Sequence, residues 1–364
     1  RRIARETAEW ALREMERPEG GFATSLDADS ADGEGAFYLW TPEAVRAVVD
    51  ADEAELVIRR LGLDERPNFD GRWHPQVHMA FSELAKVLHT PRQTLVERWK
   101  SAQRKLRAAR DQRPHPGRDD KALTAWNALM IRSLARAGRF LDLPDLIDAA
   151  ERTEAFIRAR FEDGFLDDYA FLLDALIELQ QARWSDARTQ WARSIADTLL
   201  ARFEDGDAGG FYFTAHDHEP LIQRPRTWAD DALPAGNGVA ALSLNRLGHW
   251  LGEPRYLAAA ERTLAAAADN IDQAPAAHCT LLDALEEQLD PPQLVVIRGD
   301  QATRTDLREV AEGGFEPRRL VFTPSPSQTT AAAPTEGTGA WVCPGRTCLP
   351  RAASAAELRD RLNT

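Results

Sequence analysis

Four pairs of carboxylates that lie close together in sequence have the residue type and spacing that could support catalysis. The pairs are Asp27 with Asp29, Asp119 with Asp120, Asp167 with Asp168, and Asp230 with Asp231. Two carboxylates in one cleft are what glycoside chemistry uses, because one protonates the leaving oxygen while the other activates water or attacks the sugar. Asp is also a favoured helix N-cap, and acids suit the positive end of the helix dipole, so capping is the alternative role for each pair.

Aromatic and amide side chains lie near these acids along the chain. Tyr38, Trp40 and Trp126 could offer flat apolar surfaces to a pyranose ring, and core packing is their alternative role. Asn127 and Asn237 come early in apolar segments. A buried amide needs hydrogen-bond partners, so each of these two is either a structural anchor or a ligand contact.

The sequence therefore predicts an acidic, aromatic-lined cleft that binds a sugar or a sugar-like small molecule. The expected catalytic residues are Asp27, Asp29, Asp120, Asp168 and Asp231. The expected substrate-binding residues are Tyr38, Trp40, Lys121, Trp126, Asn127, Tyr169 and Asn237. We find no phosphate-cradling glycine-rich loop, no serine-nucleophile elbow and no zinc-ligand spacing, and we expect no metal and no cofactor.

Two kinds of predicted helix alternate through the middle of the chain and would position these residues. Helices that are apolar almost all round, and therefore buried, are predicted at 122–137, 169–179, 239–251 and 276–289. Helices with charged outer faces are predicted at 146–161, 186–203 and 256–271. This alternation predicts helical hairpins in two layers, with the paired acids at the turns that lead into the inner helices.

A short repeat marks the turns at which outer helices end. A large apolar residue is followed by Glu, and then by Gly before Phe, in residues 15–22, 161–165 and 203–211. Gly can end a helix in a left-handed conformation, and the Phe returns to the core. Aromatic-rich runs at 36–40 and 210–214 predict short strands in small hairpins.

The character of the sequence changes near Pro291 and Pro292. Strands are predicted at 294–298, 320–322 and 340–342, a last helix at 355–362, and a loose loop at 324–339. We therefore divide the chain into an incomplete (α/α) toroid, residues 1–290, and a small α/β appendage, residues 291–364. The expected fold class is mainly α, a partial (α/α)6 toroid of helical hairpins with that appendage.

Bulk charge and cysteine content narrow the classes of partner. A net charge of −13 repels phosphate backbones and anionic lipids, so we expect neither nucleic acid nor a membrane as partner. Three cysteines are too few for a disulfide framework and fit a reducing compartment, while the close pair Cys343 and Cys348 leaves structural, disulfide and redox roles open.

The chain begins with Arg1 inside a helical pattern, so we expect a piece cut from a longer protein. We expect a cytoplasmic location, unless a lost N-terminal signal directs the protein elsewhere.

Several strings of residues together resemble one known family. They are 20–22 (GGF), 27–30 (DADS), 34–41 (EGAFYLWT), 119–127 (DDKALTAWN), 168–172 (DYAFL) and 231–237 (DALPAGN), closed by Cys343 and Cys348. They resemble the thioredoxin-domain-containing family that includes the spermatogenesis-associated proteins. The resemblance implies an N-terminal thioredoxin-like domain followed by an (α/α)6 toroid similar to N-acylglucosamine 2-epimerases and six-hairpin glycosidases. The thioredoxin-like domain and the first hairpins are absent from this chain, so the missing half or a second copy is the expected protein partner.

Two functional hypotheses follow from the residues and the resemblance. The first is a carbohydrate-active toroid, either a sugar epimerase or isomerase or a glycoside hydrolase. The alternative is a non-catalytic binding or redox-coupled module, in which the missing thioredoxin-like domain carries the chemistry and the rim acids serve as caps.

Overall fold

The structure is a computed structural model that describes residues 1–324, 337–345 and 347–363. The chain forms two compact units, one made of Arg1–Ala23 with Lys121–Thr364 and the other of Thr24–Asp120. The predicted boundary after residue 290 stays a prediction, because both sides of it fall within the first unit. Within the described ranges, no helix is long and apolar enough to cross a bilayer.

The first unit opens with α1 (Arg2–Trp10), which continues into a π-helical turn (Ala11–Met15). The chain then closes a tight loop in which Glu16 pairs with Phe22. Gly20 and Gly21 inside this loop have φ of 98° and 69°, a left-handed conformation that side chains disfavour. The predicted turn of Glu, Gly and Phe is therefore present here.

The second unit holds four short strands and four helices. They are β1 (Ser25–Leu26), β2 (Asp29–Ser30), β3 (Gly33–Glu34), α2 (Pro42–Arg46), α3 (Ala51–Leu61), α4 (Phe81–Val87), α5 (Arg92–Arg110) and β4 (Arg118–Asp119). Strands β1 and β4 pair antiparallel, and β2 and β3 form a small hairpin. The hydroxyl of Thr41 accepts the amide of Ala44 at 3.2 Å and caps α2, with Pro42 as its first residue.

The two predicted aromatic strands do not form. In the run 36–40 only Trp40 pairs as in a sheet, with Trp73, and in the run 210–214 only Phe211 does, with Glu204. In the first run a cation replaces the strand partner, because the Arg113 guanidinium donates to the carbonyls of Ala36, Phe37 and Leu39 at 2.7–3.3 Å. Carbonyls gathered on one guanidinium cannot extend along a sheet edge.

The rest of the first unit consists of helical hairpins. The helices are α6 (Thr124–Leu141), α7 (Pro144–Arg158), α8 (Leu166–Ala182), α9 (Asp186–Thr198), α10 (Gly236–Leu251), α11 (Pro254–Gln273) and α12 (Cys279–Leu289). A π-helical turn (Leu199–Phe203) extends α9, and a single 3-10 turn (Pro275–Ala277) precedes α12.

These helices pack in two layers. Each of α6, α8 and α10 packs against the next even-numbered helix, and α7, α9 and α11 pack on the outside of their neighbours. Nearly every residue of α8 and α10 is buried, whereas α7, α9 and α11 each bury one face. The predicted fold class is confirmed: the chain is mainly α and built of hairpins in two layers, as in part of an (α/α)6 toroid.

A small α/β element follows the hairpins. It contains β5 (Gln293–Arg298), α13 (Gln301–Ala311), β6 (Arg319–Phe322), β7 (Gly339–Pro344) and α14 (Ala355–Leu362). The central strand β5 pairs parallel with β6 and antiparallel with β7. Cys343 at the end of β7 forms a disulfide with Cys348, so of the roles left open for this pair the disulfide is present. Most of the predicted loop 324–339 lies outside the described residues.

Candidate functional site

The N-terminal ends of the inner helices α6, α8, α10 and α12 form the rim on which the candidate residues of the first unit lie. Two adjacent ends meet at each of three seams, and each seam holds one carboxylate. Helix N-termini carry unpaired amides and a partial positive charge, so the same place suits a structural cap or a functional acid. The hydrogen bonds of each carboxylate decide between these two roles.

Asp168 lies at the seam between α6 and α8 and is fully engaged with backbone. Its Oδ2 accepts the amide of Phe165 at 2.9 Å, which caps its own helix α8. Its Oδ1 accepts the amide of Ala125 at 2.9 Å, which caps the neighbouring helix α6. Burial raises the pKa of Asp168, and these two backbone hydrogen bonds act in the opposite direction. The predicted catalytic residue Asp168 is therefore placed as a structural tie between two helices.

Asp230 repeats this arrangement at the seam between α10 and α12. Its Oδ1 accepts the amide of Ala235 at 2.8 Å, and its Oδ2 accepts the amide of Thr280 at 2.8 Å. Thr280 is the second residue of α12, as Ala125 is the second residue of α6. The seam between α6 and α8 and the seam between α10 and α12 are thus each bridged by one aspartate that accepts amides from both helix ends.

Asp167 lies at the middle seam, between α8 and α10, and lacks such a bridge. Its Oδ1 lies so close to Gly236, the first residue of α10, that a Cβ at position 236 would overlap it. No hydrogen bond or ion pair to its carboxylate occurs among the residues that the structure describes. Glycine at position 236 therefore leaves room for an acid that no backbone donor holds.

The environment of Asp167 favours its neutral form. Burial raises the pKa of this carboxyl, and the neighbouring Asp168 charge raises it further, to about 6. A carboxyl with this pKa is partly protonated near neutral pH, so it can give a proton to a bound molecule or take one from it. Sequence reasoning chose Asp168 from this pair, but Asp167 is the acid that has no hydrogen-bond donor among the described residues, and its pKa is raised to about 6.

Asn127 holds the loop that contains Gly20 and Gly21 against α6, and Asn237 holds the loop that contains Gly209 and Gly210 against α10. Asn127 accepts the amide of Phe22 at 2.6 Å and donates to the carbonyls of Phe22 and Leu123 at 3.1 and 2.9 Å. Asn237 accepts the amide of Phe211 at 2.7 Å and donates to the carbonyls of Phe211 and Thr227 at 2.9 and 3.1 Å. Both amides are buried and bonded to backbone, which favours the structural alternative over a ligand contact.

The remaining rim candidates of the first unit differ in exposure. Tyr169 is buried, and its ring packs on Phe161 and Phe203, which is the packing of a core residue. Trp126, in the first turn of α6, is 44% exposed and can offer a ring face to a ligand. Asp231 and Lys121 are exposed on the loops that precede α10 and α6.

Buried charges line the inner helices below this rim. Asp174 and Glu178 on α8, Arg246 on α10 and Glu287 on α12 are all at least 95% buried. Glu178 bonds Arg136 and Arg139 of α6 at 2.7 Å, and Arg246 bonds Glu287. Burial opposes the charge of Glu178, yet the guanidiniums of Arg139 and Arg136 lower its pKa to about 2. Charges spaced four residues apart inside otherwise apolar helices were the sequence signal for this network.

The second unit carries the other predicted residues. Asp27 and Asp29 are exposed, with Asp27 Oδ1 accepting the amide of Asp29 at 3.1 Å, and Asp27 lines a cavity of about 530 Å³ with residues of β1 and β4. Asp120 pairs with Arg118 at 2.6 Å on the surface. Their catalytic roles stay predictions.

The aromatic candidates of the second unit are packed against arginines. Arg113 lies 4.1 Å from the ring of Trp40, and Arg110 lies 5.9 Å from that of Tyr38. Trp40 also packs against the apolar core of this unit. Both are partly buried, and their substrate-binding roles stay predictions.

In residues 1–324, 337–345 and 347–363, no group of three or more His, Cys, Asp or Glu side chains is placed to hold an ion.

Comparison with known proteins identifies relatives of similar sequence. No family model matches the chain. Human spermatogenesis-associated protein 20 is 27% identical over 354 residues, which cover 83% of this chain and 45% of the relative. An uncharacterized protein of Caenorhabditis elegans, B0495.5, is 23% identical over 336 residues, covering 79% and 46%. The resemblance to spermatogenesis-associated proteins is therefore confirmed, and the chain spans less than half the length of these relatives.

Among solved structures, the chain is similar to an inactive variant of an α-1,6-mannanase, GH76A of Salegentibacter sp. HEL1_6, in complex with α-1,6-mannotetrose. The TM-score is 0.36 at 14% identity, and the match covers 73% of this chain and 69% of the mannanase. A second inactive variant of the same enzyme, bound to α-1,6-mannotriose, gives the same values.

Proposed function

We propose that the rim formed by the N-terminal ends of α6, α8, α10 and α12 is a carbohydrate site in which Asp167 is the acid–base residue. One observation carries the proposal. Of the three carboxylates at the seams between inner helices, two accept backbone amides at the N-terminal ends of both adjoining helices, and the third, Asp167, has no donor among the residues that the structure describes. An acid kept without donors in a partly buried place costs stability, which a purely structural seam would not need.

The chemistry that suits this acid is proton transfer to or from a sugar oxygen or carbon. In glycoside hydrolysis the protonated Asp167 would give its proton to the leaving oxygen as the C–O bond breaks, and water would add to the sugar carbon and release a proton. In an epimerisation or isomerisation the ionised Asp167 would remove a proton from carbon and return it. Asp231, on the exposed loop before α10, is available as a second carboxylate, and Trp126 as a stacking wall.

The carbohydrate proposal is tested by ligand binding and turnover on the chain with a matched pair of variants. Asp167→Asn removes the titrating group and keeps the shape, whereas Asp269→Asn makes the same change on the exposed surface of α11. Monosaccharides, disaccharides and polyols are titrated by calorimetry, and aryl glycosides and reducing sugars are assayed for hydrolysis and isomerisation. We expect a sugar that binds wild type and Asp269→Asn, with turnover lowered by about 10²–10⁴-fold in Asp167→Asn.

Either of two results would contradict this proposal. One is that no sugar or polyol binds the wild-type chain at millimolar concentration. The other is that Asp167→Asn turns over a bound sugar as fast as Asp269→Asn, since the acid would then have no part in the reaction.

A second candidate function rests on a different observation. Asp168 and Asp230 serve as caps, as the hypothesis of a non-catalytic binding or redox-coupled module requires of rim acids. In that case the rim binds a metabolite or a protein without changing it, and Asp167→Asn alters affinity while no sugar is converted. The turnover assay separates the two candidates.

A further inference from the structure

A cavity of the first unit lies at the C-terminal half of α6, away from the rim. Its volume is about 1190 Å³, and residues of α6, α13 and the loop to Phe315 line it. Five of its lining residues are arginines, namely Arg1, Arg132, Arg136, Arg139 and Arg308. Only Asp142, Glu309 and Glu312 among the lining residues are acidic, although the whole chain carries a net charge of −13. Asp174 and Glu178, which do not line the cavity, pair with three of these arginines, so the wall presents guanidinium donors without a net excess of positive charge.

Two of these arginines form hydrogen bonds and ion pairs that connect elements of the fold. Arg139 is almost fully buried and bonds Glu178 at 2.7 Å and Glu312 at 2.7 and 3.1 Å. Arg308 bonds Glu312 at 3.1 Å and the carbonyl of Gln181 at 2.8 Å. These two side chains tie α6, α8 and α13 together, and they fix the back of the cavity.

Arg132 and Arg136 are bonded on one edge only. They lie one turn apart on α6, and their side chains are 31% and 30% exposed. Arg132 reaches Asp174 only through Nε, at 2.6 Å and without good hydrogen-bond alignment, and Arg136 reaches Glu178 through Nε and Nη2 at 3.3 and 2.7 Å. Within the described part of the chain, Nη1 and Nη2 of Arg132 and Nη1 of Arg136 have no acceptor.

An apolar surface lies beside these free donors. The exposed ring of Phe315 packs edge-on to Phe140, with ring centroids 5.6 Å apart, and the Arg136 guanidinium lies 5.9 Å from the Phe315 centroid. Phe315 is 63% exposed, so most of its ring surface is open to solvent. The wall therefore offers fixed N–H donors on one side and an aromatic face on the other.

We infer that this cavity is a binding site for an oxyanion, a carboxylate or phosphate group, on a molecule whose apolar part rests on Phe315 and Phe140. A guanidinium has donors and no acceptor, so its ligand must supply acceptor oxygens. Its planar fork matches the geometry of carboxylate and phosphate oxygens. Glu178 bonds Arg136 through Nε and Nη2, and Asp174 contacts Arg132 through Nε, so each carboxylate occupies one edge of a guanidinium and leaves the other edge for a ligand.

The test uses small probes that separate charge from apolar contact. Phenyl phosphate and benzoate carry an oxyanion on a ring, inorganic phosphate carries the anion alone, and phenol carries the ring alone. Binding to the full chain is measured by calorimetry at low and high salt. We expect phenyl phosphate or benzoate to bind more tightly than inorganic phosphate and phenol, with an affinity that falls as salt rises. The stronger of the two tells a phosphate site from a carboxylate site.

Variants then assign the binding to the named residues. The double variant Arg132→Lys with Arg136→Lys keeps both charges and loses the fork, and it should weaken the preferred probe by roughly tenfold or more. Arg183→Lys makes the same change in a surface ion pair with Asp148 and should leave binding unchanged. Phe315→Ala changes an exposed ring and should weaken phenyl phosphate while leaving inorganic phosphate unaffected.

The inference is overturned if none of the anions binds, or if phenol binds as tightly as the anions. It is also overturned if the double Lys variant binds like Arg183→Lys. The result does not depend on the carbohydrate proposal, because Asp167→Asn leaves this cavity intact and should bind the anionic probes as wild type does.

Discussion

Asp167 and Asp168 are adjacent in sequence, yet within the described part of the chain only the carboxylate of Asp168 receives backbone hydrogen bonds, from Phe165 and Ala125. The next residue along a helix turns by about 100°, so two neighbours reach different seams. Asp168 faces the N-terminal end of α6, where it caps a free backbone amide, and Asp167 faces Gly236 of α10. The same residue type thus stabilises one seam and leaves a titratable group in the next.

The unpaired carboxyl should make stability depend on pH in a defined window. The pKa of Asp167 in the folded chain is about 6, above the usual value of 3.8 that it regains on unfolding. The folded state therefore binds the proton more tightly, and stability is lost as pH rises from about 4 through about 6. Asp167→Asn should raise the free energy of unfolding at pH 7 by about 1–2 kcal/mol, after allowance for partial exposure, and by little at pH 4.

Urea denaturation of wild type and Asp167→Asn at pH 4, 5, 6 and 7 measures this difference. Asp269→Asn, on the surface of α11, is the control and should show no such pH dependence. An equal effect of Asp167→Asn at pH 4 and pH 7 would contradict the shifted pKa.

The double cap made by Asp168 should be worth more than a single cap. Asp168→Ala removes the acceptors of the Ala125 amide, in the first turn of α6, and of the Phe165 amide, at the N-cap of α8, and each lost cap costs about 1 kcal/mol. We therefore expect the free energy of unfolding to fall by about 2 kcal/mol, and by a similar amount in Asp230→Ala. Asp300 caps only α13, through the amide of Thr303 at 2.8 Å. Asp300→Ala should cost about half as much, and equal losses in chemical denaturation would refute the double role.

The hairpin pattern could be predicted because the inner-helix segments are richer in apolar residues than the outer helices, which are apolar on one face, and this difference is visible in local sequence. Of the four segments predicted to be buried almost all round, α8 and α10 are, whereas α6 and α12 bury only part of their surface. Predicted 239–251 and 186–203 lie close to the observed α10, Gly236–Leu251, and to α9 with its π-helical turn, Asp186–Phe203. The roles at the rim could not be predicted in the same way. Asp168 is a cap partly because Ala125, 43 residues earlier, presents its amide, and no local pattern records that contact.

The sequence contains a pattern that predicts the ion pairs between inner helices, although this pattern was not used to predict the site. Arg132 and Arg136 on α6, and Asp174 and Glu178 on α8, each lie four residues apart inside apolar helices. That spacing places each pair on one helix face, and opposite signs on neighbouring inner helices predict ion pairs between them. The strand predicted at 36–40 does not form, for a reason that local sequence does not show. The guanidinium of the distant Arg113 donates to the carbonyls that a strand partner would have bonded.

The two asparagine anchors should matter for stability and leave ligand binding unchanged. Asn237→Ala leaves the amide and carbonyl of Phe211 buried without their partner, and Asn127→Ala does the same at Phe22. Each unsatisfied buried group costs about 1–3 kcal/mol, so each variant should lose about 3 kcal/mol. Asn270→Ala, on the exposed face of α11, is the control and should change stability by less than about 0.5 kcal/mol. Thermal and urea unfolding measure these losses. A stable Asn237→Ala chain that binds a sugar more weakly would instead support a ligand contact.

The disulfide between Cys343 and Cys348 should stabilise the small sheet modestly. It closes a loop of only six residues, and the entropy of so short a loop corresponds to about 2 kcal/mol. Thiol titration of the folded, unreduced chain should find one free cysteine, the exposed Cys279. The double variant Cys343→Ala with Cys348→Ala should be less stable by about 2 kcal/mol, whereas Cys279→Ala should be neutral. Three free thiols in the native chain would contradict the bond.

Gly236 should control both the position and the pKa of Asp167. Alanine is normally favoured over glycine in a helix by up to about 1 kcal/mol, so Gly236→Ala would stabilise α10 if the site were open. Its Cβ would overlap Asp167 Oδ1, and the carboxylate must then move towards solvent. We therefore expect the pKa of Asp167, followed by carbon-detected NMR titration, to fall from about 6 towards 3.8, and any turnover of a bound sugar to fall with it. Gly206→Ala adds a methyl group in open space and should alter neither the pKa nor the turnover. If Gly236→Ala leaves the pKa of Asp167 unchanged, the seam between α8 and α10 does not confine this acid, and its proposed role loses its structural basis.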